Sequence, residues 1–127
     1  MSRHVAPPSP ADAMHRSLLV DALRCWRGAR DAGQPAQPCL YEILVCHRCE
    51  MLVPVFDSLM HLCEDALGRP VTVGQPAELS GDEHLLLGLI DGSKLRPECI
   101  DCEEGAATAL DCAICSTRIM MALTTAH

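Results

Sequence analysis

The chain has 127 residues, enough for one domain around a single core, and a formal net charge of −7 with only ten Lys plus Arg. That balance disfavours direct nucleic-acid binding, whose affinity rests on cationic contacts to phosphates. Hydrophobic residues make up 49 % of the chain, yet Trp26, Tyr41 and Phe56 are its only aromatics. The core is therefore built from Leu, Ala, Val, Ile, Met and Cys, a composition that favours packed helices over strands.

In chain order, residues 1–8 read as a mobile tail and 9–127 as the domain. Ser9 offers a helix N-cap and Pro10 suits the first helical position. Met14, Leu18, Ala22, Cys25, Trp26 and Ala29 recur at three- and four-residue steps, which predicts a helix over 10–32 ending near Gly33. Arg16, Arg24, Arg27, Arg30 and Asp31 fall on its opposite face, expected to be solvated. Residues 34–38 read as a loop, and 40–51 as a helix that competes with a strand reading.

Pro54 then opens a helix over 55–67, with Val55, Leu59, Cys63 and Leu67 in steps of four and Gly68 as its stop. Residues 71–79 read as an extended loop with a short strand at 71–73. Ser80-Gly81-Asp82-Glu83 is a capping box in sequence, predicting a helix over 81–91 that stops at Gly92. Residues 93–104 read as irregular, and Asp111 as the cap of a last helix through Leu123. The expected fold class is mainly α, a single-domain bundle of four to five helices with a cysteine-rich, metal-binding C-terminal segment at 93–116. Nothing near the start reads as a signal sequence, and no apolar run approaches the ~20 residues of a membrane helix. A cytoplasmic protein is expected.

Nine cysteines in a reducing compartment read as metal ligands, redox thiols or small buried hydrophobes rather than a disulfide framework. The most specific pattern is C-x2-C-x9-C-x2-C, formed by Cys99, Cys102, Cys112 and Cys115. Two residues between thiolates let one turn aim both sulfurs at one ion, and two such turns supply a tetrahedral zinc site. The spacing is similar to that of zinc-ribbon and treble-clef sites across these 17 residues. An iron–sulfur cluster is the alternative occupant. The geometry requires a break near Ala109–Asp111, because an unbroken helix would hold Cys102 and Cys112 about 15 Å apart at ~1.5 Å per residue.

Cys46 and Cys49 form a further CxxC, readable as a redox pair or a second half-site, whereas Cys25 and Cys63 read as core residues of their helices. No nucleotide-binding, hydrolase, metalloprotease or EF-hand motif is found. The expected function is a noncatalytic, zinc-binding regulatory module with a protein partner and neither nucleic acid nor membrane. The alternatives are a thiol-redox or iron–sulfur electron-transfer protein and a soft-metal handling protein.

Overall fold

A computed structural model describes residues 10–124; the expected tail at 1–8 and the Ser9 cap lie outside them. The described residues form six α-helices and no strand: α1 (Pro10–Asp31), α2 (Ala36–Val45), α3 (Val53–Leu67), α4 (Gly81–Asp91), α5 (Arg96–Cys99) and α6 (Glu104–Thr124). A 3₁₀ turn, Glu50–Leu52, leads into α3.

α3 is the hub. It packs most extensively on α6 and also on α2 and α1, while α1 lies along α2 and α4 touches α1 and α6. The residues expected in the core are there: Leu18, Trp26, Phe56, Leu59, Leu86 and Leu89 are all buried. The Trp26 indole N–H donates to Asp57 on α3 at 2.8 Å, so the largest core side chain also satisfies its polar atom.

The helix over 40–51 is displaced towards the N-terminus. α2 already begins at Ala36, because Pro38 falls in the first turn, where no intrahelical N–H bond is lost. It ends at Val45, where Arg48 takes a left-handed φ of 57° and the Cys49 N–H closes on the Leu44 carbonyl at 2.9 Å.

The arginine face of α1 is not simply solvated. Arg24 reaches Glu83 and Arg27 reaches Glu64, tying α1 to α4 and α3. Glu83 is fully buried and accepts from Arg24 at 2.7 and 3.1 Å, from the Gly74 N–H at 2.9 Å and from the Ser80 N–H at 2.8 Å. The Ser80 hydroxyl reciprocates by accepting from the Glu83 N–H at 3.0 Å, so the predicted capping box is formed. Asp82 beside it accepts a two-pronged contact from Arg69 and bonds from both the N–H and hydroxyl of Thr72. Two adjacent carboxylates thereby organise the 69–80 loop, which contains an isolated bridge between Gln75 and Glu78 but no strand at 71–73.

Gly74 is at the narrowest point of that loop. A Cβ there would stand 2.1 Å from the Glu78 carbonyl oxygen and 2.7 Å from the Glu83 carboxylate. Gly74→Ala is expected to cost roughly 1–3 kcal/mol by overpacking, measured by urea unfolding, with the helix content unchanged. A stability within a few tenths of wild type would show that the loop relaxes freely.

Candidate functional site

The C-terminal segment departs most from expectation. α6 runs unbroken from Glu104 to Thr124. The reason is partly local: Ala106, Ala107, Ala109 and Leu110 are strong helix formers, and Gly105 falls in the first turn, where it costs little. It is also tertiary. Asp111 does not cap a helix; its carboxylate takes a two-pronged contact from Arg96 at 2.8 and 3.1 Å, in the middle of α6. That contact, more than the opposing effect of burial, holds the Asp111 carboxyl below its ordinary range.

This corrects the expected metal geometry. Cys99 ends α5 and Cys102 precedes α6, whereas Cys112 and Cys115 lie two to three turns along it. From Glu104 to Cys112 the helix rises roughly 12 Å. The structure therefore does not bring Cys99, Cys102, Cys112 and Cys115 to one centre. Among the described residues no group of three or more His, Cys, Asp or Glu side chains is placed to hold a metal ion. The same separation applies to a four-thiolate iron–sulfur cluster within one chain.

The other cysteines divide three ways. Cys25 and Cys39 form a disulfide, with S–S 2.16 Å and Cα–Cα 6.4 Å, which corrects the reading of Cys25 as a packing residue and of the cysteines as a set without disulfides. Fourteen residues separate the pair in sequence, and only the side-by-side packing of α1 and α2 brings them together. Cys63 is buried on α3, as its position in the apolar stripe implied; burial, aided by Asp82 and Glu64, pushes its thiol up to about 12.

Cys46 caps the C-terminus of α2 and Cys49 is buried. Burial and the neighbouring Glu50 push the Cys49 thiol up, the opposite of what an attacking thiol at neutral pH needs.

Two concave regions stand out among the described residues. A groove of about 880 Å³ runs between the start of α1, the end of α4 and the end of α6. Its charged groups engage one another or the backbone: Arg16 pairs with Asp91 at 3.8 Å, and Arg118 donates to the last carbonyls of α4, Leu89 and Ile90. A depression of about 240 Å³ beside Arg96 and Cys115 likewise holds Arg96 in its bond to Asp111. Among the described residues every buried side-chain nitrogen or oxygen has a hydrogen-bond partner.

What remains is the outer face of α6. The helix is long and apolar enough, by length and composition, to cross a membrane, yet only 28 % of its apolar stretch is buried in the domain. Leu110, Ile114, Thr117 and Met121 point into the core. The only charged residues, Glu104, Asp111 and Arg118, recur every seven residues and so lie along one edge, drifting only ~20° per step. Beyond that edge roughly half the circumference carries no charge. Gly105, Thr108, Cys112, Cys115, Ile119 and Ala122 are all exposed there, and Ile119 and Leu123 are 54 % and 65 % exposed. This face was concealed by the expected break at Ala109–Asp111, but its three- and four-residue spacing is present in the sequence.

Comparison with protein-family models, with curated proteins and with solved structures finds no match, so the functional reading rests on this geometry.

Proposed function

We propose that the chain is a noncatalytic helical module that contacts a protein partner through the outer face of α6. The observation that carries this reading is the uncharged, exposed half of a 21-residue helix whose other half is built into the core. Clustered apolar exposure of this kind is a feature of contact surfaces, whereas single exposed hydrophobics are ordinary. The face lacks aromatics and carries Gly, Thr, Ser and Cys among its few large side chains, and the chain is acidic. Interfacial membrane helices instead combine Trp, Phe and Leu on one face with Lys and Arg on the other. Small residues between occasional larger ones suit the close approach of another helix.

A paired charge insertion, Ile119→Glu with Leu123→Glu, tests this. Unfolding free energy should stay within about 0.5 kcal/mol of wild type, as for surface positions without partners. Association detected by sedimentation velocity, and binding of an apolar fluorescent dye, should both be lost. Destabilisation of 2 kcal/mol or more would mean that this face is already packed into the domain, contrary to the proposal.

A further inference from the structure

The contact surface carries a ligand set that one chain leaves half complete. Cys112 and Cys115 are both exposed, three residues apart on α6, where neighbouring side chains have their Cβ atoms roughly 5–6 Å apart. Two sulfurs so placed can approach to the ~4 Å separation of ligands that share a zinc ion at ~2.3 Å. Zinc in a structural site takes four ligands, and this helix supplies two.

We infer that the partner of this face is a second copy of the chain, and that Cys112 and Cys115 of both copies enclose one Zn²⁺ across a two-fold axis. This rests on the reading of α6 as a contact surface and names its occupant. Gly105, Thr108, Cys112, Cys115, Ile119 and Ala122 are spaced 3-4-3-4-3, the a and d positions of a coiled-coil seam, and the cysteines are its two central members. An antiparallel pairing centred between them sets Cys112 against Cys115 of the second copy, Thr108 against Ile119, and Gly105 against Ala122. Each small residue at one end then meets a larger one from the other, whereas a parallel pairing would oppose Gly105 to Gly105 and Ile119 to Ile119.

Charge supports the same orientation. Asp111 and Arg118 occupy the flanking g positions, and antiparallel pairing adds Arg118 of one copy to the neighbourhood of Asp111 of the other, twice by symmetry. Each keeps its partner within the chain and gains an opposite charge. Antiparallel helices also oppose their dipoles. An isologous pairing of this kind closes on itself as a dimer rather than growing into a filament.

The size of the seam says why metal matters. It is about 26 Å long and one helix, about 10 Å, wide, which is small beside the roughly 800 Å² per partner of a standard stable interface. Apolar contact alone gives a weak dimer, and four shared ligands convert it into a metal-dependent one. Binding forms four Zn–S bonds from four thiols and releases up to four protons. With all positions taken by sulfur the ion has a structural role.

The test is light scattering coupled to size exclusion, with metal analysis, on the full chain under a non-chelating reductant with and without Zn²⁺. The expected result is a monomer of 13.7 kDa without zinc and a dimer of twice that mass with one zinc per two chains. Cys112→Ser or Cys115→Ser should abolish both, with the helical circular dichroism intact because both side chains are exposed. Cys99→Ser and Cys102→Ser should leave both unchanged, and Co²⁺ in place of zinc should give thiolate-to-metal absorption only in the dimer.

One zinc per monomer, lost on Cys99→Ser or Cys102→Ser, would overturn the inference in favour of a site within one chain. So would a dimer indifferent to zinc and to Cys112→Ser, a zinc-free monomer under all conditions, or flotation with phosphatidylcholine–phosphatidylglycerol vesicles that Ile119→Glu abolishes. The Ile119→Glu, Leu123→Glu variant keeps the two claims apart. If zinc bridging fails while that variant stays as stable as wild type and loses dye binding, only the metal-bridged second copy falls; if it unfolds, the contact surface falls too.

Discussion

Replacing Glu83 by Ala is expected to cost about 3–5 kcal/mol, the range for removing one partner of a buried ion pair. The carboxylate is fully buried and serves three donors from different parts of the chain: Arg24 on α1, Gly74 in the loop and Ser80 at the start of α4. Its loss leaves two backbone N–H groups and a guanidinium without their acceptor. Against a typical domain stability of roughly 5–15 kcal/mol, that is a large fraction. Glu83→Gln retains one acceptor but faces Arg24 with an amide, so it should recover only part of the loss. A urea midpoint for Glu83→Ala within experimental error of wild type would mean that the loop and α1 reorganise around the vacancy.

The same cluster sets the acid limit of the fold. Arg69, together with the Thr72 N–H and hydroxyl, outweighs burial and draws the Asp82 carboxyl from 3.8 down to about 2. Burial pushes Glu83 up, but Arg24 and the Ser80 and Gly74 amides outweigh it, so Glu83 too lies below its ordinary value. Both carboxyls are depressed in the folded state, so the unfolded chain binds more protons in acid. Their contribution is complete above the unfolded values and is lost as pH falls through the folded ones. For Asp82 this amounts to about 2 kcal/mol, present above about pH 4 and gone by about pH 2.

The second large effect distinguishes the two sides of α6. Leu110 is completely buried and belongs to the core with Phe56 and Leu59. Leu110→Ala should destabilise by about 2–5 kcal/mol through lost burial and the cavity left behind. Ile119→Ala, two and a half turns along the same helix but on the exposed face, should change stability by no more than about 0.5 kcal/mol. Thermal and urea unfolding of the two variants measure the contrast directly. Equal losses would place Ile119 in the core and contradict an open outer face.

What the sequence made legible was what neighbouring residues decide. Ser80 and Glu83 are three apart, so their capping box can be read without knowing the fold, and it is present. Gly68 and Gly92 were readable as helix stops, and both end their helices with a left-handed φ, 72° and 85°, that other residues rarely adopt. Trp26 and Phe56 followed from the helical period.

Local pattern misleads where a distant residue decides. Asp111 resembles a helix cap by type, but Arg96, fifteen residues earlier, engages it in mid-helix and leaves α6 continuous. Arg24 and Arg27 resemble solvated residues of an amphipathic helix, but the buried Glu83 of α4 and the half-buried Glu64 of α3 claim them. Cys25 is in an apolar stripe, and only the packing of α2 supplies Cys39. At the candidate site Cys112 and Cys115 were legible as a pair; the sequence pattern attached them to Cys99 and Cys102 because spacing carries no information about an intervening helix.

α6 is one helix that holds Cys112 and Cys115 outward, and the reactivity of individual thiols tests that most directly. On metal-free, dilute protein, time-resolved alkylation by iodoacetamide, read by peptide mass spectrometry, should label Cys112 and Cys115 as early as exposed Cys46 and Cys99. Buried Cys63 and Cys49 should react only as the domain opens. Protection of Cys112 or Cys115 to the level of Cys63 would contradict the open face.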